Sequence, residues 1–474
     1  MPIGKLPDFH AWTFAPPLLT ILVAMQNRSP IAILGVPFDN ITLAETCSLA
    51  ATMIESRYPH YATTVGADFL VAAQDDVELR RILFDAHLIV AEENLIVWAS
   101  RMLGNPLSGC VTVPNLIPQL LVLAEAKAWR VFLLGGDDAA AGKIRARHPK
   151  LQLVGNHKPV EKPLLEMDHA DILRRVREAK PDILLVAFGC PTQEKWINMN
   201  FRSAGVPFVL GAGSSFDFIS GAGKSAKLGG KNFCKFIFAV LAQKWRLRSK
   251  GKSPLAPAPA NVMPDPHGNL IVRAPARLGA AEAQAAQSEW QRAVESGHVM
   301  FDLSETNFVD STGVGTLIRL RKRSRELGHH FILVAPRPPV VSALKLMKLD
   351  EFFTVQASLA GARILMESSA GASPVTSGVS AQELQIRWTG EVTTLNAVEL
   401  GAYTESELTQ ITPGLNVVID LARVTFMDST GIGLMVRFKK NLKRRDIHLK
   451  FTNISASVRN VIRATQLEAF LLEN

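Results

Sequence analysis

The sequence predicts an α/β protein with three domains, in which a domain built on a mostly parallel sheet precedes two small α/β domains that repeat each other. Three observations lead to this prediction. Apolar runs alternate with amphipathic stretches in the first half of the chain, one segment recurs in the second half, and two stretches of linker composition separate the blocks. With 47% apolar and 20% charged residues, the composition is that of a globular protein and excludes a disordered or fibrous chain.

The start of the chain is predicted to be an extension of the first domain. Residues 9–27 carry no charge, but Pro16 and Pro17 interrupt them, and the apolar stretch 18–25 is far shorter than the roughly 20 residues that cross a membrane. We interpret residues 1–30 as an apolar segment packed on the first domain rather than a signal peptide, which needs a more basic start and a small-residue cleavage site.

The first domain is predicted at residues 31–252. Strands that alternate with helices form a mostly parallel sheet, and such sheets bind ligands at the carboxyl ends of their strands. Glycine-rich turns at Gly135 and at 211–221 follow two of the predicted strands. Their small residues let the backbone approach a phosphate, although a tight turn without a ligand explains the glycines equally well. The predicted buried strands are 131–134, 151–154, 182–188 and 207–210.

Residues 224–252 form a basic C-terminal appendage of this domain. They contain nine basic and no acidic residues, which equals the net charge of +9 of the whole chain. Basic residues interleaved with aromatic and aliphatic ones are typical of an interfacial amphipathic helix on an anionic lipid surface, and a helix docked on its own domain with a solvated basic face is the alternative. The residues predicted to contact the membrane or a lipid-linked acceptor are Lys224, Lys227, Lys231, Lys235, Trp245 and Arg246.

A Pro- and Ala-rich linker at 253–268 and a Ser-, Gly- and Thr-rich linker at 368–381 delimit the second domain at 269–366 and the third at 382–474. These two domains are an internal repeat without gaps at a constant offset of 118 residues. Each contains Phe-x-Asp-Ser-Thr-Gly before a helical pattern, so Ser311 and Ser429 lie near helix N-termini. There an unmodified aspartate or serine caps free backbone N–H groups, and a phosphorylated serine places negative charge at the positive end of the helix dipole.

The first domain resembles the WecG/TagA/CpsF family of bacterial glycosyltransferases over about residues 31–223. The resemblance rests on five strings in fixed order: ILGVPFDNITLAE, LIVWASRMLGNPL, RVFLLGG, DILLVAFGCPTQEKWI and GAGSSFDFISG. It implies an inverting hexosyltransferase that moves an N-acetylmannosamine-type sugar from a UDP donor to a polyprenyl-diphosphate-linked saccharide, without cofactor or obligatory metal. It also implies a cytoplasmic protein held peripherally at the inner face of the membrane.

The resemblance carries over to particular residues. Glu92 occupies the position of the family's proposed catalytic aspartate and is the predicted general base. The strings on the nucleotide side match the family's pattern more closely than those on the acceptor side. This difference indicates either a different acceptor or a catalytically degenerate scaffold that only passes a signal through the two repeated domains. The residues that the resemblance places near the UDP-sugar are Thr64, Gly135, Gln193, Glu194, Gly211, Gly213, Ser214, Phe216 and Asp217.

Each repeat resembles the STAS domain of anti-sigma-factor antagonists, in which DSTG is the phosphoacceptor motif. The resemblance implies that Ser311 and Ser429 are targets of a switch-protein serine kinase and phosphatase, or face an anti-sigma-factor-like partner. A purely structural capping role is the alternative. The basic residues on the helix after each serine are interpreted as a solvated face, because no aromatic platforms accompany them, and no nucleic acid is expected as a partner. No metal site is predicted from the four separated cysteines and the histidines.

Overall fold

The computed structural model describes residues 30–213, 216, 230–247, 261–265, 267–350, 352–369, 375–379, 383–394, 396–409, 416–465 and 467–472. Within them the chain forms the three α/β domains that the sequence predicts, so the fold class is confirmed. Of the predicted site residues, Lys224, Lys227, Ser214 and Asp217 lie outside these ranges, and for Lys231, Trp245 and Arg246 only the helical backbone is described.

The first domain is built on a six-stranded parallel sheet with the strand order β4-β3-β8-β7-β5-β6. Alternate side chains of a strand point to opposite faces, so Ile183 and Leu185 belong to one apolar core and Leu184 and Val186 to the other. The strands are β1 Ile31–Ile33 and β2 Val36–Phe38, which pair as a separate hairpin, and β3 His60–Val65, β4 Leu88–Ala91, β5 Arg130–Leu134, β6 Gln152–His157, β7 Ile183–Val186 and β8 Phe208–Gly211.

Helices cover both faces of this sheet, as the continuous apolar character of its central strands requires. Side chains of Thr42 and Asp76 cap the helices that follow them, because each accepts a hydrogen bond from a free backbone N–H of the first turn. The helices are α1 Leu43–Glu55, α2 Ala67–Asp75, α3 Val77–Asp85, α4 Asn94–Met102, α5 Val113–Lys127, α6 Asp138–Arg147, α7 His169–Ala179, α8 Thr192–Ala204 and α9 Gly230–Leu247.

The second domain has a five-stranded sheet, β15-β14-β12-β10-β9, whose strands are parallel except for β9. The strand β9 falls within the predicted linker 253–268, so the domain begins earlier than its proline-rich composition suggests. The elements are β9 Asn261–Pro264, β10 Leu270–Arg273, β11 Arg277–Leu278, α10 Ala280–Ser296, β12 Val299–Asp302, β13 Phe308–Val309, α11 Ser311–Glu326, β14 Phe331–Val334, α12 Pro338–Leu346, β15 Thr354–Gln356 and α13 Leu359–Ser369.

The third domain repeats this arrangement on a four-stranded sheet, β16-β17-β18-β19. Its first strand lies within the predicted linker 368–381 and pairs antiparallel with β17. No apolar pattern marks this strand in the sequence, because a strand at a sheet edge needs little apolar character. The elements are β16 Val375–Val379, β17 Glu383–Val392, α14 Ala397–Thr409, β18 Asn416–Met427, α15 Ser429–Arg444, β19 Leu449–Thr452, α16 Ala456–Ala464 and α17 Glu468–Leu472.

The three domains pack against one another. Ala32 and Phe84 of the first domain belong to the apolar core of the second, and the rings of Phe84 and Phe352 lie 4.4 Å apart. Glu391 of the third domain forms ion pairs with Arg81 of the first domain and with Arg321 of the second, the latter at 3.1 Å. Charged residues from all three domains therefore meet at one junction.

Candidate active site

The carboxyl ends of the parallel strands bring most of the described candidate residues to one edge of the first sheet. Thr64 is near the end of β3, Glu92 follows β4, Gly135 follows β5, and Gly211 ends β8. The helix α8, which follows β7, carries Gln193 and Glu194 in its first turn. This is the edge at which parallel sheets bind ligands.

Glu92 is held at this edge by backbone and side-chain contacts. Its N–H donates to the Val65 carbonyl at 3.0 Å, and its Oε2 accepts a hydrogen bond from Thr64 Oγ1 at 3.1 Å. Burial raises the pKa of Glu92, while Thr64 and the Val113 backbone N–H at the start of α5 oppose this shift. A carboxylate whose pKa lies closer to neutrality is a stronger general base than an ordinary surface carboxylate.

Gln193 and Glu194 form a second, more deeply buried pair. The Gln193 amide donates to Glu194 Oε1 at 2.6 Å, and its Oε1 accepts from the Gly213 N–H at 3.1 Å. Burial raises the pKa of Glu194 to about 8, and the charge of Glu92 contributes to the shift. Glu194 is therefore mostly protonated at neutral pH, and its Oε2 has no hydrogen-bond partner among the described residues.

The glycines of the two predicted turns leave room for neighbouring groups. A Cβ on Gly211 would lie 2.7 Å from Gln193 Nε2, so glycine is needed there to seat the Gln193 side chain. Gly135 has a φ of +93°, in the region that favours glycine, and a Cβ on it would overlap the Ala187 carbonyl. Phe216 is buried in the core against Gly136. Phe216 therefore packs beside the turn that follows β5.

The basic appendage contains the helix α9, which packs on the first domain along one side. Phe236 and Val240 are buried, and Gln243 bonds the backbone of Ala32 and Leu34. Its other side exposes large apolar side chains to solvent: Phe233, Phe238 and Leu241, of which Phe238 is 78% exposed. Lys235 is also exposed. Lys231, Trp245 and Arg246 belong to the same helix, but their side chains lie outside the described part of the structure.

Both DSTG serines occupy the first position of a helix. Asp310 and Asp428 are the N-caps of α11 and α15, and each accepts hydrogen bonds from the backbone N–H groups of the threonine and glycine in its DSTG motif. Ser311 and Ser429 are 0% and 1% exposed. The capping function predicted for Asp or Ser thus belongs to the aspartates, and the serine hydroxyls are available for other contacts.

Three residues near these sites were not predicted from the sequence. Asn105 contacts Ser311, Glu78 contacts Ser429, and Lys195 forms an ion pair with Glu78 at 3.0 Å. Lys195 follows the Gln-Glu pair directly, and Asn105 lies within the string LIVWASRMLGNPL. The contacts of Asn105 and Glu78 with the serines depend on how the domains pack and leave no local pattern.

None of the helices in the described ranges is both long enough and apolar enough to cross a membrane.

Comparison with known proteins agrees with this architecture. Residues 31–228 match the Glycosyl transferase WecG/TagA/CpsF family, and residues 261–362 and 373–473 each match the STAS domain. An N-acetylglucosaminyldiphosphoundecaprenol N-acetyl-beta-D-mannosaminyltransferase from Staphylococcus aureus strain NCTC 8325 / PS 47 is 25% identical over 230 residues, which cover 47% of this chain and 85% of that protein. The protein of the same name from strain MRSA252 matches to the same extent, 25% over 230 residues.

Among solved structures, the unphosphorylated form of the anti-sigma factor antagonist SpoIIAA is 22% identical, with a TM-score of 0.19, over 21% of this chain and 85% of that chain.

Proposed function

Because this chain joins a glycosyltransferase domain of the WecG/TagA/CpsF family to two STAS domains, we propose that it transfers an N-acetylmannosamine-like sugar from UDP to a polyprenyl-diphosphate-linked saccharide. The name of the Staphylococcus aureus relatives supports the choice of sugar and acceptor. The observation that carries the proposal is the position of Glu92, with its raised pKa, beside the Gln193–Glu194 pair at the carboxyl edge of the sheet.

Glu92 acts as the general base in this mechanism. Its carboxylate takes the proton of the acceptor hydroxyl, whose oxygen then attacks the anomeric carbon while the bond from that carbon to the UDP oxygen breaks. Attack from the side opposite to UDP inverts the configuration at the anomeric carbon. The hydrogen bond from Thr64 orients the carboxylate, and its partial burial keeps it reactive near neutral pH.

The remaining residues of the edge bind the donor. The turn at Gly211 and Gly213 lets the backbone approach the diphosphate, and Gln193 fixes the position of the Gly213 N–H. Because Glu194 is mostly protonated at neutral pH, it does not repel the diphosphate and is able to donate a hydrogen bond from its carboxyl group. In this mechanism the site holds the charge of UDP with backbone groups and needs no metal.

The exposed face of α9 provides the contact with the membrane that a lipid-linked acceptor requires. Asn232 donates to Asp68 Oδ1 at 2.8 Å, and Asp68 lies in the first turn of α2, directly after β3. The start of α9 therefore lies at the same sheet edge as Glu92. Insertion of Phe233 and Phe238 into the lipid interface, with Lys235 near anionic head groups, positions this edge at the bilayer surface.

The two STAS domains regulate the transferase in this proposal, with Ser311 and Ser429 as the groups whose phosphorylation by a serine kinase changes the state of the protein. Two intact DSTG motifs at helix N-termini support this role.

The transfer reaction is tested with purified protein, UDP-N-acetylmannosamine and a polyprenyl-diphosphate-linked N-acetylglucosamine acceptor. We expect UDP release that depends on the acceptor, and a loss of about 100-fold or more in kcat for Glu92→Gln, because the amide cannot accept the proton. The exposed Glu161→Gln is the control and should retain full activity. UDP release that does not depend on the acceptor would show hydrolysis of the donor and reject the proposed transfer, and no UDP release would favour a scaffold without turnover.

A further inference from the structure

Both DSTG serines make their described side-chain contacts with the first domain of the same chain. The Asn105 side-chain amide donates to Ser311 Oγ at 2.8 Å, and both the backbone N–H and the hydroxyl of Ser429 donate to Glu78 Oε1. The two serines occupy equivalent positions of the repeat. The same functional surface of two domains is therefore covered by two different parts of the first domain.

Further contacts join α11, the helix that begins at Ser311, to the first domain. Arg319 of α11 pairs with Asp39 at 2.8 Å, and Arg325 pairs with Asp85 at 3.1 Å. A Cβ on Gly315 would overlap the Pro30 carbonyl, so this glycine allows α11 to approach the first domain. The equivalent Gly433 faces open space. The second domain thus contacts the first along the length of α11, whereas the equivalent position of α15 faces open space and the third domain reaches the first through Ser429 and through the Glu391–Arg81 ion pair.

The contact at Ser429 continues to the helix of the candidate active site. Glu78, which is 2% exposed, accepts the hydroxyl of Ser429 and pairs through Oε2 with Lys195 Nζ at 3.0 Å. Lys195 also pairs with Asp76 at 2.7 Å. It follows Gln193 and Glu194 in the first turn of α8. A chain of polar contacts therefore links the serine to the helix that carries the Gln193–Glu194 pair.

Ser429 lies in an acidic environment in the docked arrangement. Its neighbours Glu78 and Asp428 are both buried carboxyl groups, and the serine satisfies Glu78 only as a hydrogen-bond donor. A negative charge at position 429 would repel the Glu78 carboxylate, because the hydroxyl that now donates a hydrogen bond to it would be gone. In the separated third domain, the same charge in the first turn of α15 would favour the helix. Added charge thus acts against docking and not against the fold of the domain.

We propose that the first domain is the intramolecular partner of both serine surfaces, and that a negative charge at Ser429 opens the contact with Glu78 and frees Lys195 on α8. The inference extends the proposed regulation by identifying what the serine surfaces bind. Docking and its effect on α8 are independent of whether the first domain transfers a sugar.

Hydrogen–deuterium exchange of the full chain tests this proposal. Ser429→Asp is expected to raise exchange in α3 and in the first turn of α8 by about tenfold or more, while α15 keeps its protection. Ser406→Asp places the same charge on the exposed face of α14 in the same domain and should change neither segment. Exchange in α3 that equals that of the unsubstituted chain would overturn the proposal.

A charge reversal separates undocking from unfolding. Glu78→Arg combined with Ser429→Asp restores opposite charges across the contact and should return exchange in α3 toward the starting value, whereas α8 is not expected to recover because Glu78→Arg also removes the carboxylate that pairs with Lys195. If Ser429→Asp removes protection within α15 itself and Glu78→Arg does not restore it, the serine stabilises its own domain and the proposal is wrong. The sugar-transfer assay is run separately, so a failure there rejects the proposed function and leaves the docking result unaffected.

Discussion

One carboxyl oxygen of Glu194 accepts a hydrogen bond from the Gln193 amide at 2.6 Å, and the other is buried and has no hydrogen-bond partner among the described residues. Burial raises its pKa from the ordinary value of 4.5 to about 8. The folded protein therefore binds a proton that the unfolded chain releases at mildly acidic pH. The stability that this proton contributes is fully present below pH 4.5 and is lost as the pH rises to about 8.

Glu194→Gln is predicted to abolish this part of the pH dependence, because the amide resembles the protonated acid and does not titrate. Between about pH 5 and about pH 8, urea unfolding should show a smaller loss of stability for the variant than for the unsubstituted protein, and the difference between the two is the contribution of Glu194. Glu161→Gln, at an exposed position, is the control and should retain the full dependence. An unchanged pH dependence in Glu194→Gln would show that Glu194 is ionised in the folded state.

Gly211→Ala is predicted to weaken UDP binding by displacing Gln193. The added Cβ lies 2.7 Å from Gln193 Nε2, which is closer than such atoms approach, so the side chain has to leave the Gly213 N–H. Loss of one hydrogen bond from the donor site should raise the Kd for UDP about tenfold by calorimetry.

Gly142→Ala is the matched control for this substitution. Gly142 lies within α6, where a Cβ meets nothing within 4 Å, so alanine should leave UDP binding unchanged and stabilise the protein by up to about 1 kcal/mol. Equal UDP affinities in the two variants would mean that Gln193 does not support the nucleotide site.

The sequence predicted the first domain well where buried strands alternate with helices. The predicted strand 131–134 is observed as Arg130–Leu134, and the run 207–210 as Phe208–Gly211. These strands are continuous apolar segments, and burial on both faces of a parallel sheet leaves a strong signal. The strands Asn261–Pro264 and Val375–Val379 were assigned to linkers, because each lies at a sheet edge and needs no such signal.

The candidate site was predictable only in part. Glu92 was identified by the position it occupies in the family resemblance and the Gln193–Glu194 pair within a motif string, and the structure brings them to one sheet edge. The high pKa of Glu194 follows from complete burial, which no string encodes. The contacts of Ser311 with Asn105 and of Ser429 with Glu78 join residues more than 200 positions apart, so they depend on domain packing alone.

Glu391→Gln is predicted to destabilise the junction of the three domains. Burial opposes ionisation of Glu391, but Arg81, Arg321 and Arg325 together hold its pKa far below the ordinary value. Neutralising the carboxylate leaves the nearly buried Arg81 and Arg321 without their counter-charge, which typically costs about 3–5 kcal/mol. Urea unfolding at neutral pH measures this loss.

The exposed pair of Glu405 with Arg437, 3.1 Å apart, supplies the control for Glu391. Glu405→Gln should cost less than about 1 kcal/mol, because solvent screens exposed ion pairs. Since the pKa of Glu391 is lowered, its stabilising contribution is present above the ordinary carboxyl pKa and is lost as the pH falls. A cost for Glu391→Gln no larger than that for Glu405→Gln would show that the junction does not depend on this carboxylate.

Phe238→Ser is predicted to weaken binding to vesicles that contain anionic lipid. Phe238 is 78% exposed on the solvent side of α9. Burial of a phenylalanine side chain in the lipid interface contributes about 1.5–3 kcal/mol, so loss of this side chain should lower the partition coefficient at least about tenfold.

Lys235→Gln should lower the partition coefficient about fivefold at low salt and less at high salt, because salt screens the ionic contribution. Val398→Ser is the control, since Val398 is 80% exposed on α14 of the third domain. Sedimentation with vesicles measures all three variants, and equal losses for Phe238→Ser and Val398→Ser would mean that α9 does not form the membrane contact.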